Sequence, residues 1–160
     1  MTGRITRAVD FERVLKTSSQ ARSPHFAVHH LASVPSVPKK PVAKLASSEL
    51  STSDEAIGVN PVDDIGSSAP AKVAVDGVWL GMVVPKRHAK RAVTRTLLKR
   101  QIKAVMELQA PVPPGLWVVR LRSPFDRTVY VSAASKALSA VAREELTRVL
   151  HMAAQRLLAA

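Results

Sequence analysis

The chain contains no cysteine. Disulfide scaffolds and cysteine-based zinc sites are thereby excluded, and the composition fits a reducing compartment, with the cytoplasm as the expected location. Aromatic residues are scarce, three Phe, two Trp and one Tyr among 160 residues, so a base-stacking platform can draw on few positions. No window approaches the roughly 18 consecutive apolar residues of a membrane-spanning helix. The opening stretch, MTGRITRAVDFERVLK, lacks the apolar region of a signal peptide. Enzyme signatures are missing as well: there is no His-Glu-x-x-His, no Walker-type phosphate loop and no Gly-x-Ser-x-Gly.

Acids are few and poorly placed for catalysis. The chain has 12 Asp and Glu against 24 Lys and Arg, and half of the acids fall between residues 33 and 76. Outside that segment only Asp10, Glu12, Glu107, Asp126, Glu144 and Glu145 remain, widely scattered. A protein-only nuclease needs clustered acids to hold metal ions. No catalytic residue and no metal site are therefore expected on the protein. The paired Asp63 and Asp64 read as solubilising. His25, His29 and His30 lack a neighbouring carboxylate or Cys, so they read as residues lining or flanking a sheet, His25 and His29 on one face and His30 on the other.

What the chain does have is positive charge, a formal net +12 with a pI near 10.9. Such values speak of partners, and phosphate-rich ones lead. The segment 33–76 is rich in Ser, Pro, Ala and Val, has no aromatic residue and carries net −2, leaving +14 on the remainder. It reads as a flexible insert in a single domain spanning 1–160.

The positive charge is concentrated in KRHAKRAVTRTLLKRQIK, residues 86–103, with eight Lys or Arg and no acid. The spacing predicts a helix from Lys86 to about Gln109. Val93, Leu97, Leu98, Ile102, Val105 and Leu108 fall on one arc, and Arg95, Thr96, Lys99, Arg100 and Lys103 on the other. Solvated helix faces normally mix signs. Here Arg87, Arg91, Arg95, Lys99 and Lys103 follow at steps of four with no acid between them, so neighbours repel. Lys86, Arg87, Lys90 and Arg91 also crowd the end at which a helix dipole favours anions. Polyanion binding accounts for both departures.

The remaining pattern predicts a short helix near Arg7–Lys16, capped by Thr6, with Phe11, Val14 and Leu15 as its apolar stripe. Strands are predicted at His25–Ala32, Gly77–Val84 and Leu116–Arg122. Gly81 inside the second marks a bulge or a close backbone approach. A final helix from about Ala137 carries Leu138, Val141, Ala142, Leu146, Val149, Leu150, Ala153 and Leu157 on one stripe. Strand–helix–strand around the basic helix implies a crossover, hence an α/β (α+β) domain with a small sheet and helices on one face.

GMVVPKRHAKRAVTRTLLKRQIK resembles the central signature of bacterial ribonuclease P protein subunits. The matching residues are Gly81, Val84, Lys86, Arg87, Arg91, Ala92, Arg95, Leu98, Lys99, Arg100 and Ile102. Upstream, Asp10 and Phe11 match the family's Asp-Phe pair and Phe26 matches the first residue of its early strand. Thr96 and Leu97 depart from the family's Asn and second Arg. The resemblance implies a left-handed strand–helix–strand crossover, a rare exception to the usual hand. It also implies a subunit of an endoribonuclease that removes the 5′ leader of precursor tRNA, in which the chemistry belongs to a catalytic RNA that brings magnesium. Lys86, Arg87, Lys90, Arg91, Arg95, Lys99, Arg100 and Lys103 are then the RNA-binding residues. Phe11, Phe26 and His29 are candidates for a cleft that takes the leader. The catalytic RNA and precursor tRNA are the implied partners, with no membrane, no bound cofactor and no obligate protein partner. The main alternative is a generic basic RNA-binding or ribosome-associated protein with no processing role. A peripheral membrane protein is disfavoured, because the core needs the apolar arc of the basic helix.

Overall fold

A computed structural model of the chain describes residues 2–37, 74–132 and 135–160. Most of the expected insert, 38–73, lies outside the described residues. The described residues before 37 and after 73 belong to one compact unit.

That unit is an α+β fold of five strands and three helices. In chain order these are β1 (Thr2–Arg4), α1 (Ala8–Leu15), β2 (Ser19–Arg22), β3 (Phe26–Leu31), β4 (Val78–Val83), α2 (Ala92–Leu108), β5 (Gly115–Leu121) and α3 (Lys136–Ala159). The sheet order is β1-β4-β5-β3-β2. β1, β4 and β5 run parallel, and β3 and β2 complete the sheet in antiparallel pairs. β4 and β5 are neighbours joined through α2, the crossover expected from the sequence.

β5 shows why the sheet needs cover on both sides. Its residues alternate between faces, yet Leu116 to Val119 are all fully buried. Trp117, Val119 and Leu121 join the larger core with Phe26, Val28 and Leu80, and α2 and α3 close over it with Leu98, Ile102, Val105, Leu146, Val149 and Leu150. Leu116 and Val118 point the other way, to Ile5 and Val14, with Phe11, Leu15, Leu31, Trp79 and Val83 at the margin. The helices are therefore not confined to one face. α1 covers the second, because a strand that is apolar on both sides must be buried on both.

Several boundaries differ from the sequence expectation. α2 starts at Ala92, not Lys86. Pro85 O instead accepts the N–H groups of His88 and Ala89, both at 3.1 Å, and closes a tight turn. Buried Ala89 anchors that turn in the core. With the helix starting at Ala92, Arg91 takes the N-cap position and Lys86, Arg87 and Lys90 lie on the loop before it. Along α2, Met106 is buried while Val93 and Leu108 are exposed, so the apolar arc is narrower than drawn from the sequence. On α3, Val141 leaves the stripe and Ala154 joins it. Thr6 does not cap α1: Arg7 holds the N-cap position without a side-chain cap bond. β1 and β2 were not expected at all, being short and polar.

Two glycines are fixed by their surroundings. Gly115 has φ +134°, and a Cβ there would lie 2.6 Å from Leu31 O. At Gly81 a Cβ would lie 2.5 Å from the Phe11 ring. What approaches Gly81 is a side chain and not the backbone expected there, and β4 keeps its register without a bulge.

Candidate nucleic-acid interface

The cations of 86–103 divide between a loop and a helix. Lys86, Arg87, Lys90 and Arg91 lie on the connection that leads into α2, and all four are exposed. Lys99, Arg100 and Lys103 are exposed on α2 itself. The side chains of Lys86, Lys90, Lys99 and Arg100 have no partner among the described residues. Lys103 meets Glu107 at 4.0 Å, a long pair between exposed groups that offsets little charge. Arg87 Nε donates to His88 Nε2 at 3.2 Å, and Arg91 Nη1 to Val131 O at 3.0 Å. No acid lies in the first turn of α2.

Arg95 is placed differently from its neighbours. Half-buried, its Nη1 donates to Ala89 O at 2.9 Å and Lys90 O at 2.8 Å. It therefore ties the loop to the helix and fixes where Lys90 and Arg91 project. Thr96 spends its hydroxyl on Ala92 O at 3.0 Å, and Leu97 packs at the margin of the larger core.

On the opposite side of the sheet, α1 is only eight residues long and covers part of the face. Phe11 is half-buried there, over Gly81 and Val118. His29 shares that face, nearly buried at 8% exposure, with a ring nitrogen 3.0 Å from Thr17 O. A carbonyl only accepts, so Nδ1 carries the proton. Phe26 is not with them. It is fully buried in the larger core beneath α2 and α3, because successive strand residues alternate and Phe26 and His29 are three apart. The structure thus brings Phe11 and His29 to one face and places Phe26 on the other.

The three histidines are engaged separately. His30 points to the larger core beside Trp117 and donates through Nε2 to Pro114 O at 3.0 Å. His25 precedes β3 and turns toward α3, not to the face of His29 as expected. Its ring stacks on Phe125 at 4.0 Å, and its Nδ1 donates to Glu145 at 2.8 Å. Glu145 also accepts from Ser23 Oγ and the His25 N–H, at 2.5 and 2.7 Å. Burial pushes the Glu145 carboxyl up, but these bonds and the nearby imidazole outweigh it and hold the group below its ordinary value. Among the described residues no group of three His, Cys, Asp or Glu side chains is arranged to hold a metal ion. No helix among them is long and apolar enough to cross a membrane.

The sequence reading missed Asp10 as a structural centre. Its carboxylate is 1% exposed. It accepts from Ser36 N–H at 3.1 Å, from Ser36 Oγ at 3.1 Å and from Arg13 at 3.3 Å. Arg13 in turn reaches Ser33 Oγ at 2.8 Å. The group clasps the chain after β3 to α1. The acid in the first turn of α1 was visible in the sequence, but its distant partner Ser36 was not.

Known proteins add a second line. The family model described as Ribonuclease P matches residues 2–130. A Ribonuclease P protein component from Ralstonia pickettii is 39% identical over 75 residues, 46% of this chain and 52% of that protein. One from Burkholderia mallei is 37% identical over 78 residues, 48% of this chain and 57% of its own length. One from Paraburkholderia xenovorans is 36% identical over 78 residues, 48% and 55%. The matched stretch spans about half the length of these curated relatives.

Proposed function

The chain belongs to the Ribonuclease P family, and from that premise we propose that it is the protein subunit of an RNA-based endoribonuclease, binding the catalytic RNA and assisting removal of the 5′ leader from precursor tRNA. The observation that carries this is the run of exposed cations on the loop before α2 and along α2, of which Lys103 alone meets a carboxylate among the described residues. Phosphates of a folded RNA neutralise such a surface and release counterions. Lys86, Arg87, Lys90, Arg91, Lys99, Arg100 and Lys103 make those contacts. Arg95 contributes by holding Lys90 and Arg91 in place. Phe11 and His29, on the α1 face, border the cleft that takes the single-stranded leader.

The protein supplies binding and the RNA, with magnesium, supplies the chemistry. The scattered acids support this division, since Asp10 and Glu145, the most enclosed of the described acids, are saturated by protein donors. Cations on the protein offset repulsion between two RNAs, a task that divalent ions take over in part. Reconstitution with a bacterial ribonuclease P RNA tests the reading. Leader removal at low magnesium should depend on the chain and become nearly independent of it at high magnesium. A chain that leaves low-magnesium cleavage unchanged and retrieves ribosomal RNA instead would overturn it.

A further inference from the structure

The side of the molecule that carries α2 and α3 holds a crevice of about 130 Å³ between the basic loop and the segment after β5. One wall is His88, Lys90 and Arg91 with the start of α2. The other is Phe125, Arg127 and Tyr130. The protein itself fastens both walls. Arg91 Nη1 donates from the first to Val131 O on the second at 3.0 Å. Arg95 holds the loop through Ala89 O and Lys90 O. On the second wall, Asp126 Oδ1 accepts from the Thr128 N–H at 2.8 Å and from its hydroxyl at 2.7 Å. The Tyr130 N–H donates to Asp126 O at 3.0 Å, which closes the turn that carries Arg127.

Size and lining narrow the occupant. Pockets for whole small molecules commonly hold about 300–1,000 Å³, so this one has room for a single ring system. Phe125 and Tyr130 are two of the six aromatic residues of the chain. One face of Phe125 is taken by His25, stacked at 4.0 Å, and Tyr130 meets Phe125 edge-on, with centroids 6.0 Å apart. Tyr130 is half-buried, and its hydroxyl has no described partner. No buried side-chain oxygen or nitrogen among the described residues lacks a partner, so that hydroxyl is open to solvent. His88 Nε2 accepts from Arg87 at 3.2 Å, which leaves the proton on Nδ1 as a second unspent donor. Lys90, Arg91 and Arg127 stand exposed around these groups, and none of them pairs with a described carboxylate.

We propose that the crevice takes one unstacked nucleobase of the RNA bound along α2, while the phosphates on either side of that nucleotide rest on Lys90, Arg91 and Arg127. This rests on the proposed function above and names a contact which that function leaves open. A base outside an RNA helix offers a flat face for stacking and a polar edge for hydrogen bonds. The lining has aromatic rings for the first, and a hydroxyl and an imidazole N–H for the second. A free heterocycle would leave the three cations unused, and a bare phosphate would leave the rings unused. Phosphate contacts position an RNA but carry no sequence information. The crevice therefore gives the α2 side a way to choose one place on the RNA, which its Lys and Arg residues alone do not supply.

The test uses the full chain assembled with a bacterial ribonuclease P RNA, with and without precursor tRNA. Affinity is measured across a salt series. Base edges are probed with dimethyl sulfate for A and C and with a carbodiimide for G and U. The wild-type chain should shield the edge of one base, and the two assemblies tell whether it belongs to the catalytic RNA or to the precursor. Ser132→Trp fills the crevice from an exposed position, and Tyr130→Ala removes the ring. Both should expose that base again and weaken binding about tenfold, with the salt slope unchanged because no phosphate contact is lost. Tyr130→Phe keeps the ring and should lose less. Arg127→Ala should instead lower the slope by about 0.7 and leave the base shielded. Ser132 lies outside the core, so Ser132→Trp decides the matter even if Tyr130→Ala fails to fold. If Ser132→Trp binds as the wild type does, with the same bases shielded, the crevice is empty in the complex and the proposal fails. A wild-type complex that shields no base edge would reduce these residues to phosphate contacts and also overturn it. Either result is compatible with leader removal that depends on the chain at low magnesium. A chain with no affinity for the catalytic RNA would instead sink the proposed function and take the crevice with it.

Discussion

The two faces of the sheet are made from alternate residues of the same strands, yet they are finished in different ways. Beneath α2 and α3, Phe26, Val28, Leu80, Trp117, Val119 and Leu121 meet two long helices in one continuous core. On the other side α1 meets Leu116 and Val118 with Val14, and leaves Phe11, Leu15 and Val83 only partly covered. Arg22 and Arg120 stand exposed beside them. Stability is invested in one face, while the other keeps a half-buried Phe11 and exposed arginines. The basic tract is attached to the first face without weakening it, because α2 gives one side to the core and the other to solvent.

The largest effect expected from this difference concerns its two phenylalanines. Phe26→Ala should cost about 3–5 kcal/mol of unfolding free energy. Phe11→Ala should cost clearly less in stability and weaken precursor binding instead, since Phe11 is half-buried on the open face. Denaturant titration and precursor affinity, measured on both variants, check this. If Phe26→Ala stays stable and loses only leader affinity, the division between the faces is wrong.

Next comes the basic tract. The triple variant Lys99→Ala, Arg100→Ala, Lys103→Ala should lower the salt slope for binding the catalytic RNA by about two to three units. Its stability should change by about 0.5 kcal/mol or less, as these side chains touch no core. A loss of cooperative unfolding would show that the helix and not the interface had been damaged. Arg95→Ala should behave differently, loosening the loop at Ala89 and Lys90, and amide exchange there should quicken.

These variants also mark what could be read from the sequence. The three long strands, the basic helix and the C-terminal helix were legible because their apolar residues repeat with strand or helix period. β1 and β2 were not, since Thr-Gly-Arg and Ser-Gln-Ala-Arg gain their strand state only by pairing with β4 and β3. The charge of 86–103 was plain, but its division into loop and helix depended on Pro85 and on Ala89 finding the core. Phe26 was grouped with Phe11 and His29 because a family resemblance carries positions and not faces. The crevice at Tyr130 was invisible, as only the fold sets residues 125–132 against the basic loop.

A smaller effect is expected where α3 holds the turn before β3. Glu145→Ala leaves the His25 N–H and the Ser23 hydroxyl without their acceptor, a loss of about 1–3 kcal/mol. Glu145→Gln should cost less, because its side-chain oxygen still accepts. RNA affinity should remain normal in both once they are folded, and a selective loss of affinity would move this corner into the interface.

The smallest effect is one of pH, and it separates the faces again. Burial lowers the affinity of His29 and His30 for protons, and the bonds to Thr17 and Pro114 carbonyls only partly oppose it. In the window between these lowered values and the ordinary histidine value of about 6.5, the unfolded chain holds protons that the folded chain does not. Stability is therefore complete above that value and falls as pH drops through the window. The depressed carboxyl of Glu145 acts at lower pH, where stability present above the ordinary carboxylate range is lost on further acidification. The histidines should respond differently to a change on the open face. Arg120→Ala removes a charge that acts on His29 and none of the causes acting on His30. Ring-proton titration by NMR should show His29 moving up toward its ordinary value in that variant, with His30 unmoved. Added salt should produce part of the same movement in the wild type, because Arg120 is exposed and its field is screened. If His30 moves equally, the variant has disturbed the packing of both faces, and the field of Arg120 is not the cause.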